Sequence, residues 1–147
     1  MSFAPKQICT LLLLSIISIS TFAQTKNNIC SKSVDYCEGK ITFENGNIYN
    51  GEFSFGVPNG KGLIKFKGGS EYLGDFKNGK IEGQGAILLA SGDSYIGEWK
   101  NGEASGDGTY KKNDGSSFKG KFKNGMREGD GIVTWENGDT LKGEWQD

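Results

Sequence analysis

Histidine is absent from this 147-residue chain, and proline occurs only twice. Without imidazole there is no Ser-His-Asp or Cys-His activation of a nucleophile, no His-ligated metal and no His-based pH switch. Cysteine is scarce, with three residues in neither zinc-site nor Cys-x-x-Cys spacing. Charge of one sign is also missing. The 17 basic and 18 acidic residues leave a net charge of −1, which disfavours a nucleic-acid or polyanion binder. No apolar run reaches the ~20 residues of a membrane-spanning helix.

The longest apolar stretch, Ile8 to Ile19, follows Lys6 and ends near the small residues Thr21 and Ala23. A basic start, a short apolar core and that ending predict a secretory signal over residues 1–23, cut after Ala23, with an uncleaved anchor as the alternative. The expected location is therefore outside the cytoplasm: periplasmic, envelope-associated or secreted. Cys9 leaves with the signal, and two cysteines remain with six residues between them: Cys30 in a tail over 24–36 and Cys37 just after it. In an oxidising compartment an internal Cys30–Cys37 disulfide is expected. Two buried thiols, or a bridge to another chain, are the alternatives.

What the chain has instead is glycine: 24 residues, about 16% against a usual ~7%. The glycines are phased. Tyr49, Tyr72, Tyr95, Phe118 and Leu141 recur every 23 positions, each followed two residues later by Gly51, Gly74, Gly97, Gly120 or Gly143. Two further on stand Phe53, Phe76, Trp99, Phe122 and Trp145. Every glycine except Gly68 falls on a register of this period, so the chain is a repeat array.

Each unit holds two alternating stretches. Tyr95, Gly97 and Trp99 share one strand face, and Ile96, Glu98 and Lys100 the other. Ile64 with Phe66, Ile87 with Leu89, and Val133 with Trp135 mark the second strand; Tyr110 continues that column but Lys112 interrupts it. Asn-Gly and Asp-Gly pairs at both connections, such as Asn78-Gly79 and Asp114-Gly115, predict tight hairpins. The expected fold is all-β: an elongated single-layer array of antiparallel β-hairpins, about ten strands, in which rings interdigitate over glycines.

The unit Tyr95-Ile96-Gly97-Glu98-Trp99-Lys100-Asn101-Gly102, followed by Gly106-Asp107-Gly108, resembles the MORN (membrane occupation and recognition nexus) repeat. The resemblance covers residues 37–147: a half-unit at 37–48, full units from 49, 72, 95 and 118, and a half-unit at 141–147. Lys121 in the acidic position and Leu141 in the aromatic position depart from it. The resemblance implies an elongated hairpin sheet serving as an accessory module, linked to phospholipid membranes and to protein contact and dimerisation. It implies no chemistry within the repeats, and no cofactor or metal.

Three groups of residues are candidate sites. The aromatic columns Tyr49, Phe53, Tyr72, Phe76, Tyr95, Trp99, Phe118, Phe122 and Trp145 are either the core or a stacking groove for a peptide, lipid chain or glycan. The acidic column Glu52, Asp75, Glu98 and Glu144 is spaced one per repeat, too far apart to share a cation, and reads as a solvated face. Lys111, Lys112, Lys119, Lys121, Lys123 and Arg127 outnumber Asp114 over 111–127, and six acids outnumber Lys142 over 128–147. That cationic stretch is an anionic-surface patch, a face balanced by neighbouring acids, or a complementary end for head-to-tail association. No nucleophile–base pair, paired-carboxylate site or phosphate loop is legible, so no enzyme is expected. The favoured reading is an exported binding or scaffolding module that contacts a protein partner or itself. Association with an anionic membrane surface and cell-wall or glycan binding through the aromatic face are the alternatives.

Overall fold

The computed structural model describes residues 35–147. These form one open sheet of ten antiparallel strands in strict chain order: β1 (Cys37–Thr42), β2 (Ile48–Ser54), β3 (Val57–Lys65), β4 (Glu71–Lys77), β5 (Lys80–Leu88), β6 (Ser94–Lys100), β7 (Glu103–Lys111), β8 (Ser117–Lys123), β9 (Met126–Thr134) and β10 (Thr140–Gln146). The expected array of hairpins is the observed fold. The signal read over residues 1–23, and Cys30, lie outside the described residues. Cys37 is disulfide-bonded.

The two kinds of connection differ. Within units, Asn78-Gly79, Asn101-Gly102 and Asn124-Gly125 carry positive φ at both residues, so two-residue hairpins close directly between paired strand ends such as Lys77 and Lys80. Phe55-Gly56 adopts the same conformation, with Phe55 at φ +49°. Between units the loops are longer than the tight hairpins expected. The Gly46 amide donates to the Phe43 carbonyl at 2.9 Å and the Phe43 amide to the Asn47 carbonyl at 2.8 Å. Only the glycine has positive φ there, the pattern of a three-residue loop ending in a glycine bulge. Side-chain oxygens of Asn45, Asp114 and Asn137 accept the amide two residues on, which fixes these turns.

Both long margins of the sheet are stitched from one repeat to the next. On one margin Asn47 Oδ1, Ser70 Oγ and Asp93 Oδ1 accept the amides of Lys67, Ala90 and Asn113. On the other, the Gly79, Gly102 and Gly125 amides donate to the carbonyls of Pro58, Ile81 and Ala104. Each unit thus bonds to its predecessor through turns as well as strands, giving near-one-dimensional coupling.

The core lies on one face only. Tyr49, Phe53, Tyr72, Phe76, Tyr95, Trp99, Phe118 and Phe122 are all buried. Their rings form an unbroken edge-to-face chain, from Phe53 through Tyr49, Phe76, Tyr72, Trp99, Tyr95, Phe122 and Phe118 to Trp145, with centroids 4.8–5.4 Å apart. Each such contact contributes about 0.5–1.5 kcal/mol beyond the area it buries. The rings lie down because glycines leave room. Gly74 pairs with Gly85 beneath Tyr72, and a Cβ on Gly85 would lie 2.5 Å from Tyr72 Cζ.

Candidate binding face

Alternation and register give the face opposite the rings rows of side chains that run across the strands. The central row reads Asn50, Leu63, Leu73, Ala86, Ile96, Thr109, Lys119, Ile132 and Lys142. Beside it runs the row of Glu52, Lys61, Asp75, Gln84, Glu98, Asp107 and Lys121. The face is apolar at its centre toward the N-terminal half and charged toward the C-terminal half.

The acidic column has a structural task that the spacing alone did not show. At the β2/β3 pair, Glu52 alone faces three residues, Asn59, Gly60 and Lys61, because the register shifts between Gly51 and Phe53. The bulge turns on Gly60 at φ +106°, and the Lys61 amide donates to Glu52 Oε2 at 2.9 Å. The same bond recurs from the Gln84 amide to Asp75 (2.9 Å) and from the Asp107 amide to Glu98 (3.3 Å). The tyrosine hydroxyl seals the other side: Tyr49, Tyr72 and Tyr95 donate to the carbonyls of Glu52, Asp75 and Glu98 at 2.8, 3.1 and 3.0 Å. These carboxylates therefore cap bulges, which corrects their reading as a merely solvated face. The fourth unit has neither part. Phe118 has no hydroxyl and Lys121 no carboxylate, and here the register shifts at Gly120/Lys121 so that Lys121 pairs with Glu128.

Burial and the neighbouring acids set the tyrosines. Desolvation first, then the Glu52 and Asp75 charges, push Tyr49 and Tyr72 far above the usual phenol range. Tyr95 is pushed up to about 12 by burial and by Glu98 and Asp107. Tyr110 is likewise raised to about 12, by burial and by donating to Asp93 Oδ2 at 2.7 Å, and that bond lowers the Asp93 carboxyl.

The six cations do not form one patch. Lys119, Lys121 and Lys123 do share the face opposite Phe118 and Phe122, as alternation predicts. Of these, Lys121 faces Asp107 at 3.5 Å and Lys123 pairs with Glu128 at 2.9 Å. Lys112 lies in the β7–β8 turn and Lys111 at the end of β7. Arg127 is on the ring side, its guanidinium 4.6 Å from the Trp145 ring centroid and 5.5 Å from that of Phe118, held by Asp147 at 2.5 Å. The cationic stretch is thus interleaved with acids on two faces.

What the strands do bring together is a shallow trough of about 850 Å³ on the face opposite the rings, over β7 to β10. Thr109, Lys119, Ile132 and Lys142 run along it, and Asp107, Asp130 and Glu144 line one side. Its signal in the sequence is the register itself: once glycine is paired with glycine across every strand, the residues between glycines fall into one row. Among the described residues no group of three or more Cys, Asp or Glu is placed to hold a metal ion.

A search of curated proteins finds no match. Among solved structures, the TCP domain of SAS-4 (dCPAP) from Drosophila melanogaster, in complex with a proline-rich motif of Ana2 (dSTIL), is similar over 74% of this chain and 72% of that one, at 13% identity and a TM-score of 0.41. The MORN repeat matches at residues 49–71, 72–94, 95–117 and 118–140, the four full units of the period. With four consecutive matches covering 49–140, the chain belongs to the MORN repeat family.

Proposed function

We propose that this chain is an exported, non-enzymatic binding module that holds a protein partner on the face opposite the rings. MORN repeats serve generally as protein- or membrane-binding modules, and the finer reading rests on the division of labour between the two faces. The rings are spent on one another: the eight core aromatics are at most 9% exposed, so they present no open stacking surface. The other face offers a trough with apolar, cationic and acidic groups side by side, a lining that suits a polypeptide better than a uniformly charged surface. A glycan reading through the aromatic columns lacks that surface and is not carried forward.

The test is capture by crosslinking in the native compartment, followed by charge reversal in the trough. Asp107→Lys combined with Lys119→Glu should reduce recovery of the captured partner about tenfold or more while leaving the melting temperature within a few degrees. Recovery equal to wild type would place the contact elsewhere. Export is tested separately: the purified product should begin at Gln24, and a retained Met1 would refute the signal.

A second reading, association with anionic membrane surfaces, is favoured by Lys119, Lys121 and Lys123 on one strand face. The ion pairs to Asp107 and Glu128 weigh against it. Binding to phosphatidylglycerol vesicles that disappears in Lys119→Glu and weakens with salt would support it.

A further inference from the structure

We propose that the trough takes a polypeptide segment in the polyproline II conformation, with acidic side chains three residues apart on Lys119 and Lys142 and a basic side chain between them on Asp130 and Glu144. This specifies the segment that the partner presents, and it rests on the reading of the trough as a protein contact. The trough has a floor and two walls. Its floor is the backbone of Gly108, Gly120, Gly131 and Gly143, paired one with the next from β7 to β10. Thr109, Lys119, Ile132 and Lys142 form one wall, and Asp107, Asp130 and Glu144 the other.

The walls hold charges that the sheet does not use. At other points on this face Lys61 pairs with Asp75, Lys65 with Glu71 at 2.7 Å, Lys121 with Asp107 at 3.5 Å and Lys123 with Glu128 at 2.9 Å. Among the described residues, no ion pair or side-chain hydrogen bond engages Lys119, Lys142, Asp130 or Glu144. Two cations on one side of the floor thus confront two anions on the other. A ligand of one charge sign meets repulsion from one wall. A chain with acids along one edge and bases along the other complements both.

Spacing selects the conformation of that chain. Lys119 on β8 and Lys142 on β10 flank Ile132 on β9 in one row, two strand spacings or about 9.6 Å apart. Polyproline II returns a side chain to the same edge every third residue, about 9.3 Å on, and so keeps step with the lysines. A β-strand returns one every ~6.7 Å and falls out of step. The floor points the same way. Its amides and carbonyls lie in the sheet plane, bonded to neighbouring strands, and offer no ladder to an added strand. Polyproline II needs none, because its backbone stays solvated.

Fluorescence anisotropy with the full-length protein tests this, using two labelled peptides of equal composition and net charge. One is four Glu-Pro-Arg triplets, in which proline favours the required conformation; the other is four Glu, four Pro and four Arg in blocks. The triplet peptide should bind saturably at up to roughly 100 µM protein, and the block peptide about tenfold more weakly or less. Lys119→Glu with Lys142→Glu should weaken triplet binding about tenfold or more at an unchanged melting temperature. Adding Asp130→Lys and Glu144→Lys exchanges the walls and should restore it, since the peptide reversed end for end exchanges its edges too. No triplet binding, equal binding of the block peptide, or indifference to the lysine reversals would each overturn the proposal. Native crosslinking that is lost on reversing Asp107 and Lys119, beside a triplet peptide that does not bind, would discard this segment and leave the trough a protein contact.

Discussion

At Gly85 a methyl group would enter the ring of Tyr72, and the ring has nowhere to go because Phe76 and Trp99 pack against it edge-to-face, with centroids 5.4 and 5.1 Å away. Gly85→Ala should therefore cost about 3 kcal/mol in denaturant titration, whereas Gly68→Ala, where a Cβ meets nothing within 4 Å, should change stability by less than about 0.5 kcal/mol. That contrast was legible in the sequence, since Gly68 is the one glycine outside the period. The bulge caps were not. An acid every 23 residues gives no sign that its carboxylate bonds an amide nine positions on, because that bond depends on the register shift opposite Glu52, Asp75 and Glu98. Phe118→Tyr supplies the hydroxyl that the fourth unit lacks and should add about 1 kcal/mol. The tyrosines also give the array an alkaline limit. Their folded pKa values lie above the usual phenol value of 10.0, at about 12 for Tyr95 and Tyr110 and higher still for Tyr49 and Tyr72. The neutral phenols thus contribute stability that is fully present below pH ~10 and falls away as the pH rises toward and through ~12. Melting temperature should be flat from neutral pH to about 10 and drop steeply above it; a flat profile to pH ~12 would contradict the burial of these rings.

At the scale of the strand and turn, the hairpins follow from residue chemistry except at one place. Asn78, Asn101 and Asn124 accept left-handed backbone readily, but the first unit puts Phe55 there at φ +49°, with its side chain 56% exposed. Phe55→Asn should raise the melting temperature by about 4 °C, from roughly 1 kcal/mol of relieved backbone strain. The loops between units were legible as turns but not as three-residue turns, because Asn-Gly serves both types and only the hydrogen bond from Gly46 to Phe43 separates them. The cationic stretch shows the same limit. Composition over 111–127 sums Lys123 and Arg127 into one patch, yet strand alternation and the ring contacts of Arg127 send them to opposite faces.

At the scale of the molecule, the period by itself determines an open sheet with a ring-filled face and a row-patterned face. Which of the two faces a partner is a question of packing, since aromatic columns at this spacing suit a groove as well as a core. Edge-to-face contacts unbroken from Phe53 to Trp145 resolve the columns into core, which leaves the trough around Thr109 and Lys119 as the surface of the proposed contact. The most direct test puts a photo-crosslinking residue at Thr109 on the trough face and, in a second variant, at the exposed Trp135 on the ring side, in protein made in its own cell. The account predicts partner adducts from position 109 and none from position 135; adducts from 135 with none from 109 would contradict it.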